Sequence, residues 1–370
     1  MKILHVVGAR PNFMKAAPVI RALNAQAGVR QILVHTGQHY DFNMSDIFFQ
    51  ELGMPAPDVN LQVGSGSQAQ QTAEIMRRLE EVVVPEPPDW VLVYGDVNST
   101  VAAALVCSKL GIRVGHVEAG LRSFDRTMPE EINRLITDQI SDLLFTPSED
   151  GNKNLQREGI SAEKIHMVGN VMIDTLVRML PRARAGAHRP MPERYVLVTL
   201  HRPSNVDDPQ WLRQLMDVLD SIKTELAVIF PVHPRTRKHL SEIGVSSAKN
   251  LRLQLLEPLP YLEFLALQRQ ATALITDSGG IQEETTYLGV PCLTMRENTE
   301  RPVTVTVGTN ILVGRDFNRL QDELRKINSG HPKRGSIPPL WDGAAAERIA
   351  SIILRTSAEP RANKSGTAAV

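Results

Sequence analysis

Short apolar runs alternate with longer amphipathic stretches along the chain. Candidate strands fall at residues 3–7, 32–36, 90–94, 113–117, 143–146 and 165–168. A second series falls at 195–200, 227–232, 252–256, 273–276, 292–295 and 310–313. Helical patterns fill most of the gaps. Strands that alternate with helices imply parallel sheets covered on both faces. Two series therefore predict an α/β protein of two Rossmann-like doubly wound domains, 1–180 and 193–340, facing a cleft. The divider at 181–192 is rich in Pro, Arg and Ala and has no apolar period, so it reads as a linker. A further helix is expected over 341–356, packing back on the first domain, with a disordered tail over 357–370.

Composition agrees with this picture and removes some alternatives. The length of 370 residues suits two domains better than one. Hydrophobic residues at 42% and charged residues at 22% are ordinary for a soluble globular protein. The formal net charge of zero gives no reason to expect nucleic acid or a membrane surface as partner. No apolar run approaches the roughly 18 residues that a membrane-spanning helix needs. The N-terminus runs straight into an apparent first strand rather than a signal peptide. Cys107 and Cys292 sit in apolar surroundings at no metal-ligand spacing. Buried free thiols and a reducing, cytoplasmic location are expected.

The chemistry lies at the ends of the candidate strands. In Thr276-Asp277-Ser278-Gly279-Gly280-Ile281-Gln282-Glu283-Glu284 a strand ends in two glycines and a helix follows. Glycines allow close approach of a phosphate to the backbone, and the free N–H groups of a helix start hold its charge. A carboxylate one turn in can take ribose hydroxyls. The alternative is a tight turn with solvated glutamates. Gly8-Ala9-Arg10-Pro11-Asn12-Phe13-Met14-Lys15 follows the first strand, and Arg10 and Lys15 could reach a diphosphate. Asp96 ends another strand, where an N-cap role is the alternative. Glu118 closes an apolar strand, a costly position unless the carboxylate is paired or used. By alternation, His116 and Glu118 should share a face. Glu130 and Arg134 lie four apart on a helix face, as a surface ion pair also would. His201 and Arg202 could face the cleft, His233 ends a strand, and Arg296 and Arg301 follow a strand near the glycine turn. Random surface charge would scatter, whereas these groups all sit at carboxyl ends of predicted strands.

The stretches GARPNFMK (8–15), TGQHYD (36–41), YGDVNST (94–100), GHVEAGLRS (115–123), PEEINR (129–134), GNVMIDT (169–175), LHRPSN (200–205), TDSGGIQEE (276–284) and ENTERP (297–302) resemble the UDP-N-acetylglucosamine 2-epimerase family, of the type that needs no nicotinamide cofactor. The resemblance implies a glycosyltransferase-B-like fold, a UDP-sugar substrate, no cofactor or metal, and a homodimer in polysaccharide biosynthesis. Carried over by position, Asp96, Glu118 and Glu130 resemble the acid/base carboxylates, and Arg134 and His201 further active-site residues. Arg10, Ser278, Gly279, Gly280, Glu284 and Arg301 match UDP-contacting positions, with Lys15 and His233 beside them. Two stretches depart from the family. A carboxylate that many members carry after the histidine is absent from His201-Arg202-Pro203-Ser204-Asn205. Gln38-His39-Tyr40-Asp41 lacks the full pattern of an activating UDP-sugar site, so no allosteric activation is expected.

Removing the C2 proton of a sugar requires it to be acidified. The glycines after the first strand do not form G-x-G-x-x-G, so a bound dinucleotide oxidant is not indicated. Breaking the C1–O bond to UDP instead puts positive charge at C1 and acidifies C2. A carboxylate then takes the proton to leave a 2-acetamidoglucal, and UDP re-adds after protonation of the opposite face. The expected reaction is reversible epimerisation of UDP-GlcNAc to UDP-ManNAc. A hydrolysing epimerase that releases UDP, an epimerase of a UDP-diacetamido-uronic acid, and a glycosyltransferase of the same fold remain alternatives.

Overall fold

The computed structural model describes residues 1–38, 51–184, 192–222, 225–245 and 252–358. Among these residues the first half forms strands β1 (Lys2–Val7), β2 (Arg30–His35), β3 (Val59–Asn60), β4 (Trp90–Tyr94), β5 (Arg113–Val117), β6 (Leu143–Thr146) and β7 (Ile165–Met167). They pair in parallel in the order β3-β2-β1-β4-β5-β6-β7. The second half forms β8 (Tyr195–Thr199), β9 (Ala227–Pro231), β10 (Leu253–Leu256), β11 (Ala273–Thr276), β12 (Cys292–Thr294) and β13 (Asn310–Leu312). Their order is β10-β9-β8-β11-β12-β13, again parallel. In both sheets the order reverses beside the first strand of its series, which opens a crevice at the carboxyl ends of β1/β4 and of β8/β11. The two facing doubly wound units give the glycosyltransferase-B-like architecture expected. The twelve strands read from the pattern are present, with ends shifted by a residue or two; β3, at two residues, is too short to leave a pattern.

Helices cover both faces of each sheet. In the first unit these are α1 (Arg10–Asn24), α2 (Gln68–Val83), α3 (Asn98–Lys109), α4 (Pro129–Ile140), α5 (Glu149–Arg157) and α6 (Val171–Met179). In the second they are α7 (Pro203–Val206), α8 (Pro209–Ile222), α9 (Pro234–Glu242), α10 (Tyr261–Gln270), α11 (Gly279–Leu288), α12 (Pro302–Thr306) and α13 (Phe317–Asn328). Strand β4 shows why its sequence is apolar throughout. Trp90, Leu92 and Tyr94 join one core, while Val91 and Val93 join the core on the opposite face. Each such side chain taken from water contributes about 1.5–3 kcal/mol. Cys107 and Cys292 are buried free thiols.

The last helix, α14 (Ala345–Ala358), starts later than the pattern suggests. Trp341 is instead buried in the preceding turn, where its Nε1–H donates to the Pro147 carbonyl at 2.8 Å. The helix packs on α1 and α6 of the first unit. Asp174 accepts the free N–H groups of Ala345 and Ala346 at 3.1 and 2.7 Å, satisfying two donors that a helix start leaves open. Ser357, placed in the tail by its composition, is helical and accepts from Trp90 Nε1 at 2.8 Å. The tail beyond 358, the linker at 185–191 and His39-Tyr40-Asp41 lie outside the described residues. Among the described residues, no helix is long and apolar enough to cross a membrane.

Candidate active site

A cavity of about 860 Å³ opens between the carboxyl ends of the two sheets. One wall is the glycine turn. Ser278 is the N-cap of α11, and its side chain makes no capping bond. The first N–H groups of α11 therefore have no intrahelical partner, and Ser278, Gly279 and Gly280 line the cavity. A Cβ on Gly279 would lie 2.5 Å from Arg301 Nη1 and 2.9 Å from Glu300 Oε1, so any larger residue would push that ion pair aside. Further along the helix, Glu284 is buried and lines the cavity, and Tyr261 donates its hydroxyl to Glu284 Oε1 at 2.9 Å.

A chain of buried charges joins this wall to the first sheet. Arg301 Nε lies 2.8 Å from Glu283 Oε1, Nη1 donates to Glu300 Oε1 at 2.5 Å, and Nη2 reaches Glu118 Oε1 at 3.3 Å. Lys15 Nζ donates to the same Glu118 oxygen at 2.7 Å, while Glu118 Oε2 is buried without a hydrogen bond. Burial works against the Arg301 charge, but Glu283, Glu300 and Glu118 outweigh it and hold the guanidinium well above its usual pKa. Burial pushes the Glu283 carboxyl up to about 7, with Arg301 holding it back and the Glu118 charge adding to the rise. Glu300 is the opposite case: burial opposes its charge, yet Arg301 and Arg296 draw it well below the usual range.

Glu118 does not continue its strand. β5 ends at Val117, and Glu118 takes φ 73°, a left-handed conformation that costs a non-glycine residue of order 1–3 kcal/mol. The expected alternation with His116 therefore breaks. His116 is fully buried instead, with Nδ1 on Asp138 at 2.7 Å and Nε2 on the Gly95 carbonyl at 2.8 Å. Glu118 also stands one layer behind the cavity wall, under Lys15 and Arg301, which do line it.

Asp96 and Arg134 form a second pair on the cavity wall. Asp96 is not an N-cap: that position in α3 belongs to Val97. Arg134 is held from behind by Glu131 Oε2 at 2.5 Å, and Glu131 also accepts the Ser123 N–H at 2.9 Å and the Phe124 N–H at 3.0 Å. Burial disfavours the Arg134 charge, but Asp96 and Glu131 raise its pKa overall. Arg134 thus pairs with Asp96 and Glu131 rather than with Glu130, which lines the cavity half-buried.

His201 and His233 line the side formed by β8 and β9, with ring centroids 6.1 Å apart. His201 Nδ1 lies 3.1 Å from Asp277 Oδ1. Asp277 also accepts the backbone N–H of His201 and Arg202 and the Asn205 amide at 3.1, 2.9 and 3.1 Å. It ties the end of β8 to the start of the glycine turn. His233 is the N-cap of α9, accepting the Arg235 N–H at Nδ1; burial, then the neighbouring His201, lowers its pKa. Arg202 lines the cavity as well, its pKa lowered by burial and by the charge on Arg296.

Of the residues singled out by sequence, Lys15, Asp96, Glu130, Arg134, His201 and His233 meet at one cavity with Ser278, Gly279, Gly280, Glu284 and Arg301. Arg10 opens α1, and its side chain lies outside what is described. Asp277, Glu283, Glu300 and Glu131 escaped the sequence reading. For Glu283 and Glu131 the signal was present: each stands beside a chosen glutamate, one position round the helix and so turned inward. Among the described residues no group of three His, Cys, Asp or Glu side chains could hold a metal ion.

The family model described as UDP-N-acetylglucosamine 2-epimerase matches residues 21–354. A protein of that name from Methanococcus maripaludis is 44% identical over 363 residues, 95% of this chain and 98% of that protein. A UDP-2,3-diacetamido-2,3-dideoxy-D-glucuronate 2-epimerase from Pseudomonas aeruginosa is 45% identical over 358 residues, 96% of this chain and 100% of that protein. The crystal structure of Methanocaldococcus jannaschii UDP-GlcNAc 2-epimerase in complex with UDP-GlcNAc and UDP is similar with a TM-score of 0.86 at 43% identity, covering 96% of this chain and 100% of that one. On the match of the family model and of these relatives over nearly their whole length, the chain is an enzyme that belongs to the UDP-N-acetylglucosamine 2-epimerase family.

Proposed function

We propose that this enzyme interconverts UDP-GlcNAc and UDP-ManNAc by eliminating UDP, forming a 2-acetamidoglucal, and adding UDP back. The observation that carries the reading is the position of Glu118. Its Oε1 is shared by Lys15 and Arg301, two cations that line the cavity together with the open helix start of α11. A diphosphate seated on those N–H groups competes with Glu118 for both cations. As it departs with the C1–O bond, its growing charge meets donors already in place, and such preorganised stabilisation is commonly the largest catalytic term. Glu284 takes the ribose hydroxyls at the far end of the nucleoside. Asp96 and Glu130 on the cavity wall, with Glu118 behind it once the diphosphate draws Lys15 and Arg301 away, form the acid/base set at C2, where each proton transfer contributes roughly 10²–10⁴-fold. Arg134 and His201 complete the site.

A second reading is favoured by the Pseudomonas aeruginosa relative and by Arg202 on the cavity wall: the sugar carries a carboxylate of its own, as in a diacetamido-uronic acid. One experiment tests both. UDP-GlcNAc, and separately the uronate, is incubated with the enzyme in D₂O and followed by NMR. Deuterium at C2 with a mixture of UDP-linked epimers supports the first reading when UDP-GlcNAc turns over, and the second when only the uronate does. Free sugar with UDP identifies a hydrolysing enzyme, and no exchange at C2 in either sugar refutes epimerisation.

A further inference from the structure

The stripe on α4 that carries Glu130 and Arg134 continues one turn on to Asp138. The carboxylate of Asp138 is fully buried. It accepts from His116 Nδ1 at 2.7 Å, the Gly120 N–H at 3.1 Å and Arg122 Nη2 at 2.7 Å. The His116 ring lies between two acceptors, since its Nε2 meets the Gly95 carbonyl at 2.8 Å. Gly95 immediately precedes Asp96, and Gly120 follows Glu118 by two residues. One buried carboxylate thus ties down both strand ends that present these side chains. One turn earlier on the same helix, Arg134 holds Asp96 directly. The Glu118 turn needs such restraint, because its φ of 73° is unfavourable for a glutamate. Its other ties include the N–H groups of Glu118 and Ala119, both donated to the Phe145 carbonyl at 3.0 Å, and the Asn154 amide on the Gly120 carbonyl at 2.9 Å.

We infer that Asp138 is a positioning residue for the epimerisation, setting through His116 and Gly120 the relative placement of Asp96 and Glu118. The inference rests on the acid/base reading of those two carboxylates. An acid and a base serving opposite faces of one carbon tolerate little error: a misplacement near 1 Å costs on the order of 10²-fold in rate. α4 serves as the ruler. Glu130 faces the cavity, Arg134 holds one carboxylate, and Asp138 holds the turns of both.

The test is the kinetics of Asp138→Asn. The amide keeps the shape but turns an N–H₂ toward one of three donors. kcat should fall by on the order of 10–10²-fold. KM and calorimetric UDP affinity should change by less than about twofold, the pattern of an interaction that matters only in the transition state. Circular dichroism at the assay temperature confirms that the variant is folded. Asp342→Ala provides the contrast. Asp342, ahead of α14, accepts the Ala344 N–H at 3.1 Å and pairs with Arg348, outside the Asp138 network and the cavity lining, so its loss should lower Tm and leave kcat unchanged. His116→Gln keeps the Gly120 and Arg122 bonds of Asp138 and carries the test if Asp138→Asn does not fold; it too should lose kcat with UDP affinity retained. Folded Asp138→Asn or His116→Gln with parental kcat, while Asp96→Asn and Glu118→Gln are inactive, overturns the positioning role alone. Active Asp96→Asn and Glu118→Gln overturn it together with the acid/base reading.

Discussion

Glu118 and Arg301 come from opposite sheets and meet at 3.3 Å inside the protein. Arg301 is also within 2.8 Å of Glu283 and 2.5 Å of Glu300, so one guanidinium touches three buried carboxylates, two of which also pair with Lys15 and Arg296. Breaking a buried pair by removing one partner costs about 3–5 kcal/mol. Arg301→Met should therefore lower Tm and weaken UDP binding by more than about tenfold, or 1.4 kcal/mol. Differential scanning calorimetry and titration calorimetry measure the two effects. Unchanged UDP affinity would remove Arg301 from the diphosphate site.

Asp96→Asn, Glu118→Gln and Glu130→Gln keep shape and lose the ability to exchange a proton. Each should reduce kcat by roughly 10²–10⁴-fold while UDP still binds. Steady-state rates beside UDP titrations separate the two effects. Parental turnover in any one variant takes that residue out of the acid/base set.

Glu284→Ala addresses the nucleoside end. Losing a charged hydrogen-bond partner costs about 1.5–3 kcal/mol, which predicts roughly 10–100-fold weaker UDP binding. kcat at saturating substrate should change far less, because the ribose is remote from C2. The opposite pattern, with affinity kept and kcat lost, contradicts the assignment.

Stability should depend on pH through Asp174, the cap of α14. Burial raises its carboxyl from the ordinary 3.8 to about 6, so the folded state holds the proton more tightly than the unfolded chain. Its contribution is therefore complete below about pH 4 and is lost as pH rises through about 6, a change of about 3 kcal/mol. Asp174→Asn has no proton to lose there. Urea unfolding of parent and variant should show the parent's relative stability falling across this window. A difference that stays flat from pH 4 to 7 would refute it.

Much of this protein is legible one residue at a time. Apolar runs such as Trp90–Tyr94 read as doubly buried strands because parallel strands bury both faces, and that holds whatever packs on them. Polar residues at the carboxyl ends of such strands mark the site because the sheet order opens a crevice there. Lys15, Asp96, Arg134, Ser278 and Arg301, all of which line the cavity, were read from the sequence in this way. The spacing of four between Glu130 and Arg134 correctly placed them on one helix, but it could not tell that Arg134 turns to Asp96 and Glu131.

What the chain alone could not decide is which charges meet. Glu118, Lys15, Arg301 and Glu283 are spread across nearly the whole sequence, and only the apposition of two sheets brings them within ion-pair distance. The same holds for His116. Alternation placed it beside Glu118, but the left-handed turn at Glu118 broke the period and left His116 to Asp138. Local propensity depends on neighbours in sequence, so it determines strands, helix starts and glycine turns. The partner of a buried charge depends on long-range packing, because desolvation forces each carboxylate to the nearest available donor once the core has closed.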